Sequence, residues 1–180
     1  QFSKTTCAAI GNLFGAMLAY KQKDTYIGLF GDRLISCPIN REERVLDFAR
    51  STFKKGSECG PSTENGLYHF LESCIRDKKR IDNLVIFSDM VIGKTGSAGW
   101  DYTSTYRKAS FQDLFKQFRK VNPQCVTVCV NIRSTSGKSV FNRNLNVLEV
   151  SGWSNSIFDT IKNNCKGYKA IIDEIESIQL

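Results

Sequence analysis

The segment Asn83-Leu84-Val85-Ile86-Phe87-Ser88-Asp89-Met90 constrains the fold more than any other stretch of this chain. Its apolar residues follow one another without alternation, the pattern of a strand covered on both faces, as in parallel sheets flanked by helices. The run stops at a Ser-Asp pair. In open α/β sheets ligands bind at the carboxyl ends of strands, so a carboxylate there reads as a site residue. Asp89 is the first candidate.

Periodicity along the rest of the chain gives alternating elements. Residues 5–20 carry Ile10, Leu13, Phe14, Met17 and Leu18 at helical spacing, with Gly11 and Gly15 allowing close packing on a sheet. Residues 25–30 read as a short strand. Gly31-Asp32-Arg33 then turns the chain into 34–39, as a hairpin partner or an extended connection. Residues 41–53 again have helical spacing, and 54–61 read as loop. A helix starts near Ser62 or Thr63, where Ser/Thr precedes Glu64 and the apolar face Leu67, Phe70, Leu71 and Cys74, and it stops at the charged run 76–80. The strand at 84–87 leads into a long polar loop over 91–106, of a length that in compact domains is usually functional or mobile. Then come a helix through Phe111, Leu114, Phe115 and Phe118, strands over 126–132 and 145–150, and one or two closing helices over 154–180 with a break at Gly167. Strands alternating with helices imply one α/β domain with a mostly parallel sheet covered on both faces.

One hundred and eighty residues suffice to bury a core without staples. The longest apolar runs are strand-length, and the first residues lack the pattern of a secretion signal, so no membrane partner is expected. Seven scattered cysteines, mostly within apolar patterns, read as reduced interior thiols, which favours a cytoplasmic or nuclear setting. The formal net charge of +7 divides unevenly, +2 over residues 1–90 and +5 over 91–180. Such a surplus suits a phosphate-rich or acidic partner. Lys94, Arg107, Lys108, Lys116, Arg119, Lys120, Arg133, Lys138 and Arg143 are the residues that would meet RNA, although solvated lysines are the commoner case and no compact basic-aromatic motif accompanies them.

Gly93-Lys94-Thr95 and Gly137-Lys138-Ser139 resemble the end of a phosphate-binding loop. Both lack its upstream glycine, which is Ser88 and Ile132 respectively. The single histidine, His69, lies among apolar helix residues and reads as structural. With it alone no Ser-His-Asp or Cys-His arrangement stands out, and no C-x-x-C pair marks a zinc site. Trp100 and Trp153 read as a loop aromatic and a packing anchor. What remains is oxygen chemistry: Thr63 at a helix start and Asp89 at a strand end are hard ligands suited to Mg²⁺ or another divalent cation. The same residues could equally be a helix cap and a loop cap.

Several local strings resemble a von Willebrand factor A (vWA) domain of the kind found at the C-terminal end of Ro autoantigen (TROVE) proteins. They are Lys23 to Asp32 with the following Cys37-Pro38, Thr63 to Leu67, Val85 to Asp89, Val130 to Arg133, and Val150 to Ser154 leading into Ile157-Phe158. They occur in the family's order and span residues 5–161. The resemblance implies a three-layer, Rossmann-like fold and a metal-ion-dependent adhesion site built from three loops, with Thr63 matching the second loop and Asp89 the third. The first loop, Asp-x-Ser-x-Ser, has no match here. In the family it follows a strand in the middle of the sheet and precedes the first helix, so the strand and its motif are expected shortly upstream of Gln1. A non-catalytic interaction module of a ribonucleoprotein follows from the likeness, with a protein partner and, through the wider protein, a small noncoding RNA. Two other readings stay open. One is a metal-dependent phosphohydrolase using Asp89 with Asp32 or Asp101; the other is a structural domain whose metal site has decayed and whose basic surface docks RNA.

Overall fold

The computed structural model describes residues 6–60, 65–89, 111–133, 147–152, 154 and 156–165. These form a mixed α/β fold with five α-helices, a three-stranded parallel sheet and a two-stranded antiparallel one. In chain order the elements are α1 (Cys7–Lys21), β1 (Ile27–Phe30), β2 (Leu34–Cys37), α2 (Val45–Gly56), a 3₁₀ turn (Ser57–Cys59), α3 (Asn65–Arg76), β3 (Asn83–Ser88), α4 (Phe111–Val121), β4 (Val126–Asn131), β5 (Val147–Ser151) and α5 (Ser156–Cys165).

The parallel sheet has the order β3-β4-β5, in register from Asn83 opposite Val126 to Ser88 opposite Asn131. Successive side chains alternate between two cores, as the two-residue period of a strand requires. Ile86 and Cys129 join Leu67, Leu71, Cys74, Phe115 and Phe118 of α3 and α4. Val85, Phe87, Val128 and Val130 join Phe14 of α1 with Ile157 and Ile161 of α5. Phe14 links three elements there, stacked on Phe158 with ring centroids 5.0 Å apart and tilted against Phe87 at 6.3 Å. A third core, around Ala16, Cys37, Phe48 and Ala49, holds α1 and α2 to the hairpin.

Local chemistry sets the element ends. The Thr6 hydroxyl accepts from the Ala9 N–H (3.2 Å) and caps α1. At its other end the Arg41 guanidinium donates to the carbonyls of Ala19, Tyr20, Gln22 and Lys23, which lie where a helix runs out of internal donors. The helix expected over 41–53 is instead α2, running on to Gly56 and into the 3₁₀ turn, so the loop expected over 54–61 is largely helical. Ser51, Thr52 and Ser57 hydroxyls donate back to carbonyls three or four residues earlier and blend the two helices. The hairpin alternative holds for 34–39: β2 pairs antiparallel with β1. The long polar loop and the stretch after Cys165, with the expected break at Gly167, fall outside the described residues.

Gly11 and Gly15, both expected to pack closely on a sheet, behave differently. A Cβ at Gly11 would come within 3.0 Å of Ile132 Cδ1 and 3.3 Å of Phe87 Cβ, whereas one at Gly15 would meet nothing within 4 Å. At Gly15 alone α1 borders open space, since Ala16 and Ala19 beyond it are buried.

Candidate functional site

Each strand of the parallel sheet gives up its apolar character at the same level. Ser88, Asn131 and Ser151 are register partners across β3, β4 and β5, so three oxygen-bearing side chains end the strands in one row, with Asp89 one residue beyond. The ends are tied together: the Ile132 N–H donates to the Ser88 carbonyl (3.0 Å) and the Gly152 N–H to the Asn131 carbonyl (2.9 Å). The Asn131 side chain accepts from the Arg133 N–H at 3.2 Å, and the Ser88 hydroxyl lies 3.4 Å from Asp89 Oδ1. Asp89 is half-buried.

The hairpin ends at the same rim. α3 starts against the end of β1, where the Gly66 N–H donates to the Gly31 carbonyl (2.8 Å), and its far end leads through residues 77–82 into the start of β3. α1 starts against the end of β3 through Gly11, and its far end leads through residues 22–26 into the start of β1. β1 and β3 therefore run in the same direction. Asp32 follows β1 as Asp89 follows β3, so the two carboxylates stand at one rim on different sheets.

Around Asp32 three backbones cross closely. The Arg33 N–H donates to the Cys59 carbonyl (3.1 Å), a Cβ at Gly31 would come within 2.6 Å of the Gly60 carbonyl oxygen, and one at Gly66 within 2.5 Å of the Arg33 carbonyl oxygen. Gly60 has φ of +85°, and a Cβ there would overlap the Asp32 carboxylate. Only glycine meets both demands.

The sequence-derived site residues divide. Asp89 lies one residue past the end of β3, while Thr63 lies outside the described residues, as do Asp101, Lys94, Arg107, Lys108, Lys138, Arg143, Trp100 and Trp153. Among the described residues no three His, Cys, Asp or Glu side chains gather to hold a metal ion. Donor type fits Mg²⁺, since Ser88 and Asp89 offer hydroxyl and carboxylate oxygens, but they supply a single negative charge. Of the basic residues, Arg119 is engaged internally: its guanidinium donates to the carbonyls of Pro123 (3.0 Å) and Cys125, holding the turn between α4 and β4. Lys116 pairs with Asp113 at 3.5 Å on the outer face of α4. Lys120 precedes the start of β4 and Arg133 follows its end, separated by a strand of about 20 Å. They do not form one patch. His69 is half-buried in α3.

Asn131 and Ser151 were missed because each is a single polar residue closing an apolar run, a weaker mark than a Ser-Asp pair. Their signal is the repetition of that ending in three successive strands. Among the described residues no helix is long and apolar enough to cross a membrane. The chain matches no family model, no curated protein and no solved structure.

Proposed function

We propose that this chain is a Rossmann-like, vWA-type interaction module that binds rather than turns over its ligand, at the rim formed by the carboxyl ends of β1 and β3 to β5. The observation that carries the reading is the register row Ser88, Asn131 and Ser151 with Asp89 beyond it, in a parallel sheet packed by helices on both faces. Strand ends are where such sheets bind ligands, because backbone polarity and side-chain oxygens converge there while the strands themselves are buried. The five family-like strings in order support the adhesion-site version. In it Asp89 and Thr63 hold a divalent cation, Ser88 orients the Asp89 carboxylate, and an acidic group on a partner protein or ribonucleoprotein completes the coordination.

Calorimetric titration of Mg²⁺ and Mn²⁺ tests this. The wild-type chain is expected to give a saturable response that weakens at least tenfold in Asp89→Ala, since loss of an outer-shell partner alone costs about 10–100-fold. A wild-type response unchanged in Asp89→Ala would remove the metal from the proposal; no response in either protein would do the same.

A further inference from the structure

Residues 76–80, Arg-Asp-Lys-Lys-Arg, are all exposed and stand where α3 gives way to β3, at the end of the sheet opposite the rim that Asp89 marks. The connection from α4 to β4 comes to the same end. Asn83 and Val126 are register partners, the Val126 N–H donates to the Asp82 carbonyl (3.0 Å), and the Asn122 side chain accepts from the Ile81 N–H (2.7 Å). Arg80 and the exposed Lys120 therefore flank one fastened seam. With Arg119 turned inward, residues 76–82 and 119–125 present five cations, Arg76, Lys78, Lys79, Arg80 and Lys120, beside the carboxylates of Asp77 and Asp82.

Helix electrostatics account for only some of these charges. A cation in the last turn complements the helix dipole, and the effect fades beyond that turn. Arg76 and Lys120 hold that place in α3 and α4, while Lys78, Lys79 and Arg80 lie past it. Lys78 is also the one non-glycine residue with positive φ (+50°) among the described residues. It closes a helix end in which the Lys79 N–H donates to the Cys74 carbonyl (3.0 Å) and its own N–H to that of Ile75 (3.4 Å), a position that glycine fills with least strain. A charge is held in a fixed place against local preference.

The ligand class shows in the contacts that this surface already makes. Arg76 donates to both oxygens of Asp77 (2.8 and 3.3 Å), Lys79 Nζ lies 3.7 Å from the same carboxylate, and Arg80 Nε lies 3.0 Å from that of Asp82. These pairs are exposed and individually weak, so an incoming carboxylate can replace them. Among the described residues Lys78 and Lys120 make no ion pair. Residues 76–82 and 119–125 contain no aromatic side chain on which a nucleic-acid base could stack.

We propose that this surface docks an acidic segment of a partner protein, whose Asp and Glu side chains meet Lys78 and Lys120 and displace Asp77 and Asp82 from Arg76 and Arg80. The closed end of α3, the Asn122 contact and the Arg119 guanidinium hold both halves of the surface in place, so little ordering opposes binding. This inference stands apart from the rim, which lies the length of β3 away and is not needed for it.

Fluorescence anisotropy with a labelled oligo-glutamate peptide tests the surface. The wild-type chain is expected to bind saturably, and more weakly as sodium chloride is raised. Lys78→Gly/Lys120→Gln is expected to bind about fivefold or more weakly. The same variant is expected to melt at or above the wild-type temperature, since glycine suits position 78. Lys54→Gln/Lys55→Gln, which removes equal charge from the last turn of α2, is expected to bind like wild type. Absence of binding by the wild type, equal losses in the two double variants, or a lowered melting temperature in Lys78→Gly/Lys120→Gln would overturn the proposal. So would an oligo-uridylate of equal charge that binds more tightly than the peptide and is weakened by the same substitutions, because the surface would then be one for nucleic acid.

Discussion

At the scale of single residues, the positions that matter most are those where backbone, charge or oxygen chemistry leaves one choice. Gly60 combines a positive φ with a neighbouring carboxylate in the space of its absent Cβ. Gly60→Ala is therefore expected to destabilise the fold by about 1–3 kcal/mol, read as a lowered urea midpoint with an unchanged slope. Arg41 stands at the end of α1 and serves four carbonyls from an exposed position, so Arg41→Met should cost about 0.5–1 kcal/mol, and added salt should shrink the difference. A loss below experimental error would show that water replaces the guanidinium at these carbonyls.

At the scale of elements, the connection from α4 to β4 shows how a basic residue can look like a ligand contact and serve the fold. Arg119 closes this turn from within, and the Asn122 side chain accepts from the Ile81 N–H at 2.7 Å, fastening it to the segment entering β3. The Ile81 N–H is part-buried and the Asn122 Nδ2 is itself buried with no partner among the described residues, so Asn122→Leu is expected to cost about 1 kcal/mol, read as a lowered urea midpoint. Arg119→Ala is expected to lower thermal stability and leave any RNA affinity of the chain unchanged, whereas Lys120→Ala and Arg133→Ala should leave stability unchanged. Filter binding beside thermal melts separates these effects; an Arg119 variant that melts like wild type but loses RNA would reverse the assignment. The same elements show why α2 ran past its expected end. Lys54, Lys55 and Gly56 have no apolar periodicity, yet the Ser57 N–H donates to the carbonyls of Lys54 and Lys55 and its hydroxyl to that of Lys54, which carries the turn into the 3₁₀ segment.

At the scale of the whole molecule, thiols tie stability to pH. Burial pushes the Cys37, Cys59, Cys74 and Cys129 thiols above their ordinary range, with nearby Glu149 adding to the effect at Cys129 and Cys37 to that at Cys59. In the unfolded chain these groups ionise near pH 8.5, while in the folded chain they hold their protons, so the unfolded state loses protons first as pH rises. Stability is expected to be unaffected by these groups below about pH 8 and to fall as pH climbs from about 8.5 upward. Urea midpoints at pH 7 and 9.5 under reducing conditions measure it, and a chain equally stable at both would show that the thiols titrate alike in the two states. Element types and order could be read from the sequence because they follow from local spacing: the unbroken apolar runs of β3 and β4, the helical faces of α3 and α4, the Gly-Asp-Arg turn between β1 and β2. The place of Asp89 at a strand's carboxyl end was legible for the same reason, since a polar pair closing an apolar run is a local event. Only the tertiary structure aligned Ser88, Asn131 and Ser151 in one row, committed Arg119 to an internal turn, and set β1 and β3 in separate sheets. Those facts depend on register and on contacts between residues far apart in the chain, and no local pattern encodes such distances.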